Sequence, residues 1–377
     1  MSGFGVYVHW PFCATICPYC DFNVYRARGA ENRPLLQAIA ADVSAHAERF
    51  GARTAQSVFL GGGTPSLLSG EEVGFVLNAV RSAFALAPDC EITLEANPED
   101  KALFAEQAAA GVNRFSIGAQ AFDDAALKAL GRRHDARQGL EAVEAAARTG
   151  KRVSLDLIYA REGQGLEQWR TELTQALSLP VEHVSLYQLT IEPRTAFARR
   201  VERGQLHPPE SEAAAELYQA TQDVCEAAGF EGYEISNHAR SPAARAAHNL
   251  IYWRGGDWIG VGPGAHGRVT HQGARIALEA QRRPRDYLDA VRENGLGLIT
   301  ETALSGPEHA DEALLMGLRT VEGVAIARLD ALRARPVDRK AIADLCALGL
   351  LQSDGEIMRL TRAGRLVANA VAATLAA

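Results

Sequence analysis

Gly5-Val6-Tyr7-Val8-His9-Trp10-Pro11-Phe12-Cys13-Ala14-Thr15-Ile16-Cys17-Pro18-Tyr19-Cys20 carries the organising signal of the chain. Its first six residues, apolar, β-branched and aromatic up to a proline, predict a buried strand. That strand delivers a loop in which three of the six cysteines fall at C-x3-C-x2-C. One short loop can aim three such sulfurs at a single centre. Thiolate is a soft ligand suited to iron–sulfur clusters, zinc and copper(I). Four would complete an ordinary cluster or a structural zinc site. The local supply stops at three, because Asp21, Phe22 and Asn23 follow. Three readings are open: a zinc site completed by His9, a disulfide plus a free thiol, and a [4Fe-4S] cluster whose fourth iron takes an outside ligand. The disulfide is disfavoured, since Met1-Ser2-Gly3-Phe4-Gly5 has no secretory character and disulfides are uncommon in the cytosol.

Working outward, the chain of 377 residues is 47% hydrophobic and 23% charged, an ordinary globular composition. Its formal net charge is −7 and no stretch forms a basic patch, which argues against a nucleic-acid partner. No apolar run reaches the roughly 18 residues of a spanning helix. A cytoplasmic protein is expected; peripheral membrane contact is compatible with the sequence but nothing marks it. Cys90, Cys225 and Cys346 stand alone in apolar or helical surroundings and read as small buried hydrophobes.

After the cysteine loop, residues 32–50 show helical spacing (Leu35, Leu36, Ile39, Val43). Ser57 to Leu60 is a second strand, running into Gly61-Gly62-Gly63-Thr64-Pro65-Ser66. Ser69, with Glu71 and Glu72 behind it, opens a helix. Further strands are expected at 91–95, 114–118, 153–158 and 183–189, with Ala-rich helices between them. Alternating buried strands and helices predict parallel β-α units. Six units predict an α/β fold, a partial (β/α)6 barrel, with its site at the C-terminal ends of the strands. Cys13, Cys17, Cys20, Gly62, Gly63, Thr64, Glu95, Gln120 and Asp156 all fall on or near those ends. Asp156 inside Ser-Leu-Asp-Leu-Ile needs a partner or a role, since a buried carboxylate is costly. Arg132, beside Arg133, reads equally as an anion partner or as half of a solvated pair.

The barrel is expected over 1–229. Residues 230–299 form an extension, with Gly232 to His238 read as one strand and Gly260 to Gly267 as a tight turn rather than a dinucleotide fingerprint. His248, near Tyr252 and Trp253, offers an imidazole among flat apolar faces, or simply a structural hydrogen bond. Residues 300–377 read as helices with one strand at 356–361 and a final helix at 363–375, a winged-helix-like α+β module. Nine Lys/Arg against ten Asp/Glu over 301–377 argue against DNA binding by it.

Taken together, Tyr-Val-His-Trp-Pro-Phe-Cys (7–13), Cys-x3-Cys-x-Tyr-Cys, Gly-Gly-Gly-Thr-Pro-Ser (61–66), Glu-Ala-Asn-Pro (95–98), Phe-Ser-Ile-Gly-Ala-Gln (115–120) and Asp-Leu-Ile-Tyr (156–159) resemble one branch of the radical S-adenosylmethionine (SAM) superfamily. The branch contains the oxygen-independent coproporphyrinogen III dehydrogenases and radical SAM-type heme chaperones. The resemblance spans essentially the whole chain. It implies a [4Fe-4S] cluster on Cys13, Cys17 and Cys20, with SAM on the open iron. It also implies that Tyr7, Gly62, Gly63, Thr64, Glu95, Gln120, Arg132 and Asp156 occupy SAM-pocket positions. The dehydrogenases carry a further cysteine where this chain has Phe22, and a longer segment before the motif; here twelve residues precede Cys13. His-Asn-x-x-Tyr-Trp (248–253) and Tyr-Gln-Leu-Thr-Ile-Glu-Pro (187–193) resemble the heme chaperones instead. That resemblance implies heme as a ligand, His248 as its iron ligand, and apo-hemoproteins, respiratory enzymes among them, as acceptors. A homodimer is allowed by this reading.

Overall fold

The computed structural model of the chain describes residues 3–27, 29 and 31–376. All six expected strands are present: β1 (Phe4–Trp10), β2 (Thr54–Gly62), β3 (Ala85–Ala96), β4 (Arg114–Gln120), β5 (Arg152–Tyr159) and β6 (His183–Gln188). They lie side by side in chain order and pair in parallel. Register follows burial. Val6 stands opposite Val58 and Val8 opposite Leu60, all nearly sealed from solvent. The connecting helices lay apolar faces on the sheet; Leu35, Leu36, Ile39 and Val43 of helix Arg33–Phe50 are buried there. Ser69 caps helix Gly70–Ala83 as expected: its side chain accepts from the Glu72 amide while Glu72 reaches back to the Ser69 amide.

The sheet curls around its own interior. One cavity of about 290 Å³ is lined by Tyr7, Phe59, Thr93, Ser116, Ser154 and His183, one residue from each of the six strands. This is the expected α/β barrel, but the 12-stranded sheet runs well beyond six. On one side, β7 (Glu231–Gly232) and β8 (Asn237–Ala239) form an antiparallel hairpin against β6, where a single strand was expected. The cause is Glu234. Its buried carboxylate accepts from the Ser236 amide, the Ser236 hydroxyl and the Asn237 side chain, which folds residues 233–236 into a turn.

On the other side, β9 (Asp257–Val261) adds a seventh parallel strand against β1. The sequence hid it behind Gly260, which reads as the start of a turn. Gly260 is glycine because a Cβ there would sit 2.1 Å from the His266 carbonyl of the next strand. The expected turn is real but shorter, at residues 262–265. β10 (His266–His271), β11 (Ala274–Ala280) and β12 (Leu298–Ala303) continue antiparallel. Gln272-Gly273, both at positive φ, join β10 to β11 by a two-residue turn. Residues 300–303, expected to be helical, thus finish a strand.

A second apolar core gathers Ala310, Leu314, Leu329, Leu345, Met358 and Leu375 within a C-terminal domain. Helices Gly306–Leu318, Ile326–Arg333 and Arg339–Ala347 pack over a three-stranded sheet. The single final helix expected there is broken at Val367 into Arg362–Leu366 and Ala368–Ala376. Among the described residues no helix is long and apolar enough to cross a membrane.

Candidate cluster and cofactor site

The cysteine loop rises from the C-terminal end of β1. A two-residue parallel ladder, Phe12–Cys13 with Tyr25–Arg26, closes its base. Beyond the ladder, Cys13, Cys17 and Cys20 line one cavity of about 310 Å³, within the range of small-molecule sites, about 300–1,000 Å³. Gly62, Gly63, Thr64, Glu95, Gln120, Arg132 and Asp156 line the same cavity. Residues far apart in sequence thus meet at the strand ends, as the barrel reading requires. Tyr7 and His248 do not join them. Both line the neighbouring cavity inside the barrel, which shares Glu95, Ser116, Asp156 and Tyr187 with the first.

Burial pushes the Cys13 thiol up, Thr64 pulls it back in part, and nearby Cys17 raises it further. Burial also pushes Cys20 up to about 11. These are protonated thiols that a metal must strip of protons, not free reactive thiolates. His9, the zinc candidate, has both ring nitrogens engaged within the loop's support. Its Nδ1 meets the Tyr7 hydroxyl at 2.8 Å and its Nε2 the Asn23 carbonyl at 3.0 Å. Among the described residues no three His, Cys, Asp or Glu side chains close on one point as around a single ion. The disulfide is absent too: all three thiols are free.

The glycines form a close cradle. Gly62 has φ 100°, and a Cβ on it would fall inside the His9 ring at 2.4 Å. A Cβ on Gly63 would lie 2.7 Å from the Trp10 carbonyl. The Gly62 amide donates to Glu95 at 2.9 Å. Burial pushes Glu95 up to about 7, helped by the Asp156 charge and opposed by the Gly62 amide. Asp156 is pushed up to about 6 by burial, against hydrogen bonds from Ser185 and Ser116. Asp156 therefore both satisfies a barrel network and faces the cavity.

Arg132 and Arg133 part company. Arg133 is a surface residue paired with Glu99. Arg132 turns inward, donates to Asn97 at 2.6 Å and to the Gly118 carbonyl at 3.0 Å, and stands 3.5 Å from the Cys17 sulfur. Gln120 is held at φ 67°, unusual for a non-glycine, and its Oε1 is buried without a partner. An unpaired acceptor and a guanidinium, beside Gly62 and Gly63 on the cavity wall, suit a ligand bearing both an amino and a carboxylate group. Sequence reasoning missed Asn97, Ser116, Gly118 and Tyr187 as lining residues. The usable signals were Asn97 just before Pro98 at the end of β3, and the motifs at 115–120 and 187–193 that hold Ser116, Gly118 and Tyr187.

At the far end of the barrel, His248 sits on helix Ala247–Trp253, buried. Its Nδ1 bonds the Ser57 hydroxyl at 2.7 Å and its Nε2 the Tyr252 hydroxyl at 2.8 Å. The ring stacks on Phe59 at 5.1 Å. Burial lowers its pKa to about 3, so the imidazole is neutral. The segment leading into this helix is pinned to the barrel: Arg114 donates to the Ala244 carbonyl, Arg152 to the Ala243 carbonyl, and the His248 amide to Glu91.

A three-cysteine loop at the C-terminal mouth of a parallel barrel, facing a glycine cradle and an inward arginine, defines a radical SAM protein. Comparison with known proteins agrees. Residues 7–174 match the radical SAM superfamily and residues 304–367 the HemN C-terminal domain. The chain is 39% identical to the heme chaperone HemW of Mycobacterium tuberculosis, over 99% of this chain and 94% of that one. It is 35% identical to the heme chaperone HemW of Escherichia coli, over 97% and 96%. It is 43% identical to the mitochondrial radical S-adenosyl methionine domain-containing protein 1 of Bos taurus, over 85% and 74%. The solved structure of coproporphyrinogen III oxidase (HemN) from Escherichia coli shares the fold, with a TM-score of 0.82 at 21% identity over 99% of this chain and 90% of that one. The chain belongs to the radical SAM superfamily, in the branch that holds this oxidase and the heme chaperone HemW. Membership implies a [4Fe-4S] cluster and SAM, and the free thiols, glycine cradle and orphaned Gln120 oxygen fit that pair.

Proposed function

We propose that the protein is a heme chaperone of radical SAM type, working in the cytoplasm. It binds heme and passes it to apo-hemoproteins, respiratory enzymes among them. Cys13, Cys17 and Cys20 hold a [4Fe-4S] cluster, and Tyr7, Gly62, Gly63, Thr64, Glu95, Gln120, Arg132 and Asp156 serve SAM, with Tyr7 acting from the adjoining cavity. His248 is the heme-iron ligand. The observation that carries the reading is the pairing of two sites in one barrel: a cluster cavity at one end, and an imidazole-bearing helix closing the other. The two cavities share Glu95 and Asp156. The full-length likeness to chaperones named HemW supports it.

Neutral imidazole is the form that ligates iron. With both ring nitrogens hydrogen-bonded, heme uptake requires His248 to release Ser57 or Tyr252, and the helix Ala247–Trp253 to swing off the barrel end. A cluster held by Cys13, Cys17 and Cys20 would supply an electron to SAM; in a chaperone these residues, with the SAM-pocket residues, would gate heme uptake and release. The test is anaerobic. Heme-loaded protein mixed with an apo-form respiratory enzyme restores its activity, and coproporphyrinogen III with SAM and reductant stays unconverted. Protoporphyrinogen formation would replace this reading with the dehydrogenase one. Delivery unchanged after Cys13, Cys17 and Cys20→Ser would refute the gate.

A further inference from the structure

The turn at residues 262–264 has no part in the reading so far, yet it meets the cysteine loop. The Asn23 amide nitrogen donates to the Pro263 carbonyl at 2.9 Å and to the Arg282 carbonyl at 2.8 Å. The Tyr25 hydroxyl reaches the same Arg282 carbonyl at 3.1 Å and the Asn23 side-chain oxygen at 3.4 Å. Asn23 stands three residues beyond Cys20. Its own carbonyl takes the His9 Nε2–H at 3.0 Å, which leaves His9 Nδ1 to accept from Tyr7. The loop's far end is therefore gripped from two sides, by β1 and by the extension.

The glycines of the turn are shaped to this grip. Gly264 has φ 82°, and a Cβ on it would lie 2.4 Å from the Asn23 amide nitrogen. Gly262 has φ 101°, and a Cβ on it would lie 2.3 Å from the His9 carbonyl. Both need glycine twice over, for the backbone angle and for the close approach. The turn is held in turn by Tyr287, whose hydroxyl accepts from the Gly262 amide at 2.9 Å and donates to Asp42 at 2.6 Å. The loop is also held by the ladder at its base, by Arg132 beside the Cys17 sulfur and by the Pro18 carbonyl, which accepts from the Phe197 amide; none of these fixes the chain just after Cys20.

We propose that Asn23, seated on the Gly262-Pro263-Gly264 turn, is the positioning residue of the cluster loop. Two donors on one planar amide fix where the chain leaves the third cysteine. That fixes the direction of the three sulfurs toward the cluster and the open position toward SAM. The extension thereby belongs to the cofactor site, although it supplies no ligand. The inference rests on the cluster assignment and not on heme.

The experiment uses the full chain, reconstituted anaerobically with iron and sulfide, as wild type, Asn23→Ala, Asn23→Asp and Tyr25→Phe. Iron and sulfide content, the electron paramagnetic resonance signal of the reduced protein with and without SAM, the rate of cluster loss in air and the melting temperature are measured. Asn23→Asp keeps the shape but sets carboxylate oxygens against two carbonyls, so it separates hydrogen bonding from packing. The expected result is a melting temperature near wild type, with cluster loss roughly tenfold faster and the SAM-induced signal change weakened in both Asn23 variants. Tyr25→Phe, which removes one hydroxyl and leaves no gap, is expected between them and wild type, and decides the matter if the Asn23 variants fail to fold. Wild-type cluster content, signal and air stability in every folded variant would overturn the proposal. A wild type that takes up no four-iron cluster would refute the cluster assignment instead.

Discussion

At the residue scale, local motifs were legible and long-range contacts were not. Cys13, Cys17, Cys20 and Gly62 to Thr64 announce themselves because each group lies within eight residues, and their chemistry needs that spacing. Arg132 was ambiguous until the fold turned it inward and left Arg133 outside. Asn23 gave no signal, because its partners lie 240 and 259 residues away. Glu95 offers a test at this scale. Its folded-state pKa, about 7, lies above the ordinary 4.5. Its proton is then held more tightly folded than unfolded, so its stabilising contribution is full below pH 4.5 and lost as pH rises through about 7. Urea unfolding of wild type and Glu95→Gln across pH 4 to 8 is expected to show wild type losing ground against the variant over that window. A constant difference would place Glu95 in a more polar setting than the barrel interior described.

At the scale of elements, the six β-α units were readable because buried strands alternated with amphipathic helices at every step. β9 was not, since Gly260 disguises a strand whose backbone must pass close to its neighbour. In the proposed function, heme access turns on the helix Ala247–Trp253. Ser57 and Tyr252 occupy the two nitrogens of His248, and each net hydrogen bond contributes about 1 kcal/mol. Removing either partner lowers the cost of exposing the imidazole. Ser57→Ala and Tyr252→Phe are each expected to tighten heme binding by about threefold to tenfold in anaerobic titration, and the pair together by more. Unchanged or weaker affinity in both would mean that the helix does not release His248 for heme.

For the whole molecule, the buried histidines set the acid response. Burial lowers His9, His134, His183, His238 and His248 below the ordinary 6.5, with His134 at about 4 and His238 and His248 at about 3. Each takes up a proton in the unfolded chain before the folded one, so stability is present above pH 6.5 and falls as pH drops. Glu95, Asp156 and Asp100 act in the opposite direction, but five histidines outweigh three carboxyls. Denaturant midpoints are expected to fall steadily from pH 7 to pH 5, and a flat profile would contradict the neutral buried state assigned to these rings. The C-terminal domain, with a core of its own, was legible as a module from its helix-and-ribbon order. The twelve-stranded continuity between barrel and extension was not, because strand pairing across it depends on β1 meeting β9.

The most direct measurement is heme titration of anaerobically reconstituted wild type and His248→Ala, followed by visible absorption. The account predicts saturable binding by wild type, with affinity at least about tenfold weaker or a shifted Soret band in the variant. Equal affinity and an identical spectrum in the two proteins would contradict it and move the heme site away from His248.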